Sequence, residues 1–161
     1  MQKGIIIYRL LCNGWDVSDH YGDGYDLVAE KDGKYVKIEI KAIDLSMIKN
    51  GKRATQYLSV NELVSSSHLI ITVFRGINVE NNYVMSIRDF VEKSDVKKYK
   101  EYNGYDEFQE KYKELAVDKL KQVKGSTGTK NRLAFDFNFD PKKIEKWKFS
   151  EFKEKWDCLE K

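Results

Sequence analysis

The feature that most constrains the fold is the dipeptide Asp32-Gly33, which separates two runs of mostly alternating residues. A two-residue loop of this composition is the strongest short signal for a β-hairpin, because both residues tolerate the positive φ angles of a type I′ turn. If these two residues form the loop, the register of the hairpin follows. Asp26 then lies directly opposite Glu39 on the neighbouring strand.

This register sorts the hairpin into two faces, because successive side chains of a strand point to opposite sides. One face presents Asp26, Glu39 and Lys41 as a charged cluster. Directly opposed residues have Cβ atoms about 4.5–5.5 Å apart, so the two carboxylates and the amine are predicted to be neighbours. The other face is apolar and carries Leu27, Ala29, Val36, Ile38, Ile40 and Ala42.

The opposed carboxylates have two interpretations. Like charges in this position destabilise a hairpin, but together they can share a hard cation such as Mg²⁺, which prefers oxygen ligands. The metal would lower the pKa of a bound water and offset charge on a phosphoryl group, while the lysine positions or deprotonates that water or stabilises the charge. The alternative is a solvent-facing strand on which Lys41 merely neutralises Glu39.

The remaining pattern predicts an α/β (α+β) domain with a central mixed sheet flanked by helices. Ser59 and Glu62 have the spacing of a capping box, and His68 opens an apolar strand, where it is expected to be structural. The predicted elements, in chain order, are a helix over 3–12, a strand over 15–18, hairpin strands over 25–30 and 34–42, a capped helix from 59 to about 66, strands over 68–74 and 83–86, a short helix from 86, a helix over 105–123, a strand over 133–140 and a helix from 142 to the end.

Asp26, followed after twelve residues by Glu39-Ile40-Lys41, resembles the PD-(D/E)xK nuclease superfamily, which has the restriction-endonuclease-like fold. The context is also similar: an N-terminal helix that ends at a glycine, a short strand, the segment GYDLVA, a hairpin and the segment KIEIKA. The pattern is similar to archaeal Holliday-junction resolvases and to small restriction-type endonucleases. The resemblance covers roughly residues 1–90.

The resemblance implies a Mg²⁺-dependent endonuclease that hydrolyses DNA phosphodiester bonds, with Mn²⁺ as a possible substitute. Asp26 and Glu39 would bind the metal, Ile40 would add a backbone carbonyl, and Lys41 would assist the water. Polar residues after the motif would border the substrate groove, and a later glycine-rich basic loop would clamp DNA, although either could be an ordinary loop. These candidate DNA contacts are Lys52, Arg53, Gln56, Tyr57, Lys130 and Arg132.

One departure from the family pattern leaves a rival function open. Many members have a glutamate in the first helix, but residues 1–13 contain no acidic residue. Asp16, Asp19 and Asp23 could replace it or could be turn residues. The rival is a catalytically inactive nucleic-acid-binding or protein-interaction domain on the nuclease fold, and a third interpretation is an unrelated α/β domain with a coincidental motif.

Length and charge bound the organisation of the chain. A chain of 161 residues has the size of one domain, and we expect a nuclease-like core over 1–92 with a mostly helical, lysine-rich extension over 93–161 packed on it. That extension carries 18 basic and 14 acidic residues, which fits either phosphate contact or a solvated helix surface.

The cysteine count and the lack of a long apolar run bound the location of the protein. Cys12 and Cys158 are too far apart in the sequence for a paired-cysteine metal site, and no stretch is long and apolar enough for a membrane span. We therefore expect a cytoplasmic protein with no membrane contact. A homodimer is a further expectation, because enzymes of this class often pair to cut both strands.

Overall fold

The computed structural model describes residues 2–22, 24–48, 54–93, 104–111, 113, 135–139 and 147–161. Its named α-helices are α1 (Gln2–Cys12), α2 (Val60–Ser65) and α3 (Ile87–Lys93), and residues 105–111 are also helical. Its strands are β1 (Asp16–Asp19), β2 (Leu27–Lys31), β3 (Lys34–Asp44), β4 (Ala54–Leu58), β5 (His68–Arg75), β6 (Asn78–Ser86) and β7 (Phe135–Phe139).

Five strands form one mixed sheet in the order β1-β2-β3-β5-β6. The pairing of β3 with β5 is parallel, and the other three pairings are antiparallel. Parallel neighbours need a crossover connection, and here that connection contains β4 and α2. Strands β4 and β7 form a separate antiparallel pair. The predicted α+β class, with a central mixed sheet flanked by helices, is confirmed.

The β2–β3 hairpin has the predicted turn and register. Asp32 and Gly33 have φ angles of 53° and 79°, as a type I′ turn requires. Ala29 pairs with Val36 along the ladder. The side chain of Glu30 accepts a hydrogen bond of 2.7 Å from the Gly33 backbone N–H, which further fixes the turn.

Both faces of the sheet are covered, and the two cores differ in what covers them. Helix α1 and residues 156–159 pack on one face, and α3, the helical residues 105–111 and residues 147–152 pack on the other. The α1-side core contains Ile6, Leu10, Trp15, Leu27, Ala29, Val36, Ile38, Ile70, Val84 and Leu159. The opposite core includes Ile43, Leu63, Leu69, Ile71, Tyr83, Phe90, Phe108, Trp147 and Phe149. Strands β3 and β5 contribute to both cores.

The C-terminal residues are tied to the sheet by polar contacts. The two ring nitrogens of His68 contact the Ser67 hydroxyl at 2.9 Å and the Cys158 carbonyl oxygen at 3.2 Å. Burial lowers the pKa of His68, and the neighbouring Cys158 carbonyl only partly opposes this shift. His68 is therefore a structural residue, as its place in an apolar strand predicts.

Two segments differ most from the prediction. Strand β6 begins at Asn78, five residues before the predicted start, because the turn after β5 needs only Gly76 and Ile77. Residues 147–161, predicted to belong to a helix, contain two short 3₁₀ helices, Ser150–Phe152 and Trp156–Glu160. Glu154 lies between them with a φ of 51°, which interrupts a right-handed helix.

Glu154 also explains why that segment leaves the helical path. Its backbone N–H donates a 2.7 Å hydrogen bond to the Asn82 carbonyl, and its carboxylate accepts one of 2.8 Å from the Asn82 N–H. The segment thus pairs with β6.

In the part of the chain that the structure describes, no helix has the length and apolarity that crossing a membrane would require.

The hairpin turn makes a prediction for stability. Gly33→Ala is expected to lower the free energy of unfolding by roughly 1–2 kcal/mol, because a side chain disfavours positive φ, although no atom lies within 4 Å of the new Cβ. Gly4→Ala is the matched control, since its Cβ also meets nothing but lies in α1, where alanine is the better residue. Denaturant unfolding measures both, and equal effects would contradict the turn assignment.

Candidate active site

Asp26 lies one residue before β2 and meets β3 through its side chain. Its Oδ2 accepts a 2.8 Å hydrogen bond from the Ile40 N–H, and its own backbone N–H donates to the Ile38 carbonyl at 2.8 Å. The ladder of paired residues begins only at Leu27. The prediction that Asp26 is a ladder partner of Glu39 is therefore wrong in detail, since the local backbone pairing shifts by one residue.

Glu39 lies in the middle of β3 and is only 5% exposed. Its Oε1 accepts a hydrogen bond from Lys41 Nζ at 2.7 Å. Burial raises the pKa of Glu39 to about 7, and the negative charges of Glu62 and Asp26 add to this, so together they outweigh the ion pair with Lys41. The effect of Asp26 on this pKa places the two carboxylates within electrostatic reach, as the hairpin predicts.

Lys41 is held between two carboxylates. Its Nζ lies 2.7 Å from Glu39 Oε1 and 2.9 Å from Glu62 Oε1, and only 14% of its side chain is exposed. Burial lowers the pKa of Lys41, but its hydrogen bonds and charge interactions with both carboxylates outweigh burial, and the net shift is upward. Lys41 is therefore an ammonium ion at neutral pH.

Glu62 is predicted only as part of a helix cap, but its side chain also joins the site. Its Oε2 accepts the Ser59 N–H at 2.7 Å, and the Ser59 hydroxyl accepts the Glu62 N–H at 3.2 Å, which confirms the capping box. Burial raises the pKa of Glu62, and the contacts with Lys41 and Ser59 reverse this to a net decrease. The capping box can be predicted from the sequence spacing of Ser59 and Glu62. The proximity of Glu62 to Lys41 cannot, because it depends on the crossover that places α2 beside β3.

The loop that carries Asp26 is packed against the end of α2. The Ser66 hydroxyl donates a 2.8 Å hydrogen bond to the Gly24 carbonyl oxygen. Gly24 has a φ of 110°, and a Cβ there would lie 2.8 Å from two side-chain atoms of Ser65. Only glycine fits this close approach, and the contact helps to fix the segment that leads into Asp26.

The candidates for a replacement of the first-helix glutamate lie in or near β1. Asp19 forms an ion pair with Lys3 of α1, whose hydrogen bond lowers the pKa of Asp19. Asp16 is exposed and pairs with Glu30 at the other end of β1. Asp23 lies outside the described residues. The structure therefore brings Glu62 to the cluster from α2, while Asp19 is engaged by α1.

Most of the predicted DNA contacts are not described by the structure. Lys52 and Arg53 lie outside the described residues, as do Lys130 and Arg132. Gln56 and Tyr57 belong to β4, where they pair with residues 137 and 136 of β7, but their side chains are outside the description. All six remain predictions.

The donor atoms fit a cation held by two carboxylates. Among the described residues, no group of three histidine, cysteine or acidic side chains is arranged to hold a metal ion. Mg²⁺ does not need such a group, because it keeps several waters and is commonly bound by one or two carboxylates plus substrate phosphates. Asp26 and Glu39 offer that pair, and a cation there would offset the burial and the neighbouring negative charges that raise the pKa of Glu39.

Comparison with known proteins found similar structures but no similar sequence. No family model matches the chain, and no curated protein matches it. The Holliday junction resolvase Hjc of Archaeoglobus fulgidus is 15% identical, with a TM-score of 0.39, and the match covers 54% of this chain and 70% of the resolvase. A bacterial homing endonuclease is 20% identical, with a TM-score of 0.37, and the match covers 75% of this chain and 91% of that protein.

The first of these proteins is named as a resolvase and the second as an endonuclease. Neither likeness is close enough to transfer an activity to this chain. What the site can do therefore depends on the chemistry of Asp26, Glu39, Lys41 and Glu62.

The raised pKa of Glu39 predicts how stability depends on pH. Between its ordinary value of 4.5 and about 7, the folded protein retains a proton that the unfolded chain releases. The stabilisation from this proton is complete below about pH 4.5 and is lost as the pH rises towards 7. In Glu39→Gln, which mimics the protonated form, this loss should be absent when unfolding is measured in denaturant across that range.

The quantity to compare is the difference in unfolding free energy between wild type and Glu39→Gln. His68 also titrates in this pH range, and its effect on stability has the opposite sign to that of Glu39. Its lowered pKa makes the folded state more stable as the pH rises towards 6.5. Both proteins contain His68, so its contribution cancels in the difference. Parallel stability curves for wild type and Glu39→Gln would contradict the assigned pKa.

Proposed function

We propose that the chain is a Mg²⁺-dependent endonuclease that hydrolyses the phosphodiester bonds of DNA. The observation that most supports this is the position of Glu39, a carboxylate buried in the middle of the sheet beside Asp26 and Lys41. Burying a charge next to like charges costs free energy, and groups perturbed in this way are concentrated at functional sites. Mn²⁺ is expected to substitute for Mg²⁺, since both accept oxygen ligands.

Each residue of the cluster has a role in this proposal. Asp26 and Glu39 hold the cation, and the backbone carbonyl of Ile40 is a further candidate ligand. When bound, Mg²⁺ would lower the pKa of a bound water and offset charge on the phosphate. Lys41 is an ammonium ion, so it orients the attacking water as a hydrogen-bond donor or stabilises charge on the phosphate. Its two carboxylate partners disfavour a role as proton acceptor.

DNA affinity would come from basic residues around the site, together with those of the C-terminal third. Such contacts release counterions, so binding should weaken as salt rises. The candidates remain Lys52, Arg53, Gln56, Tyr57, Lys130 and Arg132. A homodimer would bring two sites to the two strands of a duplex.

The rival proposal is an inactive DNA-binding domain on the same fold. It is motivated by α1, which has no acidic residue to complete the family's usual metal site. Salt-sensitive DNA binding by a wild-type protein that cleaves no DNA would favour this rival.

Cleavage of supercoiled plasmid and branched DNA tests the proposed activity. Wild type should cut in the presence of Mg²⁺ or Mn²⁺. Glu39→Ala and Lys41→Ala should each lose about 100-fold or more in rate, since each removes a group that acts directly on the reaction. Lys34→Ala is the matched control, because Lys34 lies in the same strand but at the hairpin turn, where it lines a surface cavity with Trp15 and Glu160.

Each variant must retain its folded circular dichroism spectrum and a cooperative melt for the comparison to count. Equal cleavage by wild type and a folded Glu39→Ala protein would contradict the assignment of the site. A loss in Lys34→Ala as large as that in Lys41→Ala would place the important charge elsewhere.

Thermal melting gives a test of metal binding that does not need activity. A cation that binds only the folded protein stabilises it by about 1.4 kcal/mol at ten times its dissociation constant. For a chain of this size, that corresponds to a rise in Tm of roughly 3–6 °C. Mg²⁺ or Mn²⁺ should raise the Tm of wild type but not that of Asp26→Asn, and Glu80→Gln should respond as wild type does. No rise in wild type would contradict the metal site.

A further inference from the structure

We propose that Glu62 is a positioning residue, which fixes the Lys41 ammonium between its own carboxylate and that of Glu39 and so defines where Lys41 meets the water or the phosphate. This inference deepens the proposed nuclease function and rests on it. It assigns a reaction role to a side chain that the sequence pattern marks only as a helix cap.

The two oxygens of Glu62 accept from different donors. Oε1 accepts from Lys41 Nζ at 2.9 Å, while Oε2 accepts from the Ser59 backbone N–H at 2.7 Å. The second bond fixes the carboxylate relative to the first turn of α2. Glu62 is therefore a pre-oriented acceptor, with one oxygen directed at Lys41.

The Lys41 ammonium needs a fixed acceptor if it is to keep one position relative to the reacting groups. This ammonium is a point charge on a flexible stem with many rotamers, and without Glu62 it would keep, of its two ion pairs, only the 2.7 Å contact with Glu39 Oε1. Because the ammonium contacts Glu39 of β3 and Glu62 of α2 at the same time, both the strand and the helix define its position.

Helix α2 also connects the two halves of the site. Glu62, near its start, holds Lys41, and Ser66, just after its end, donates to the carbonyl of Gly24 in the loop that leads into Asp26. Gly24 packs against Ser65 so closely that no side chain would fit. A single short helix therefore supports both the ammonium and the approach to the first carboxylate.

The test separates the role of Glu62 as a cap from its role toward Lys41. Glu62→Gln keeps a residue type that capping boxes accept, but the amide has one acceptor oxygen and no charge to offer Lys41. Ser59→Ala is the matched control, because it removes the hydroxyl that accepts the Glu62 N–H while leaving both oxygens of Glu62 in place. Glu62→Ala removes both functions.

The expected result is a split between kcat and KM. Glu62→Gln should lower kcat for DNA cleavage roughly 10- to 100-fold, as misplacement of a reacting group does, with little change in KM. Ser59→Ala should lower the Tm at least as much as Glu62→Gln while keeping kcat near that of wild type. A Glu62→Gln protein that cleaves like wild type, or a Ser59→Ala protein that loses as much kcat, overturns the inference.

A spectroscopic measurement reports the contact without any cleavage. An ammonium held by two carboxylates and shielded from water exchanges its protons slowly, so the Nζ of Lys41 should give a ¹H–¹⁵N signal, assigned by its loss in Lys41→Ala. The signal should persist in Ser59→Ala and disappear in Glu62→Gln. Persistence in Glu62→Gln overturns the inference.

The two proposals can fail separately. If Glu39→Ala and Lys41→Ala abolish cleavage but Glu62→Gln does not reduce it, the nuclease function stands and the positioning role is wrong. If wild type cleaves no DNA, the proposed function and the catalytic part of this inference both fall, whereas the Lys41 signal still decides whether Glu62 holds the ammonium.

Discussion

The buried carboxylate of Glu39 is the constraint on which the arrangement of the site depends. Removing a charge from water costs several kcal/mol unless a partner and hydrogen bonds compensate, and Lys41 supplies that partner at 2.7 Å. The compensation is incomplete, because Asp26 and Glu62 add two further negative charges. The cluster sets three carboxyl groups around one ammonium, and a divalent cation would offset the neighbouring negative charge that Glu39 meets there. The cluster therefore reduces the stability of the protein alone in a way that metal binding would reverse.

The rest of the fold holds this cluster in place. Strand β3 lies at the centre of the five-stranded sheet, with a core on each face. The hairpin turn at Asp32-Gly33 sets which side chains of β3 face the cluster, and α2 lies against them. Packed cores tolerate little displacement, so a reacting group on β3 is placed more firmly than a group on a surface loop would be.

Several features of the fold could be predicted because their causes are local. The hairpin turn, the capping box of α2 and the apolar run of β5 each follow from a few consecutive residues, and all three are present. The start of β6 and the path of residues 147–161 could not be predicted in this way. The polar residues at the start of β6 gain their strand from pairing with β5, and the hydrogen bonds between Glu154 and Asn82 join residues 72 positions apart.

The sequence by itself determined that Glu39 and Lys41 share one face of β3, because the period of two in a strand fixes it, and the two-residue turn brought the segment of Asp26 beside that strand. Only the tertiary structure decided that Glu39 is buried, that its pKa rises to about 7, and that Glu62 is the second partner of Lys41. These properties depend on where the crossover places α2 relative to β3. That placement follows from the packing of the whole sheet, and no short stretch of residues encodes it.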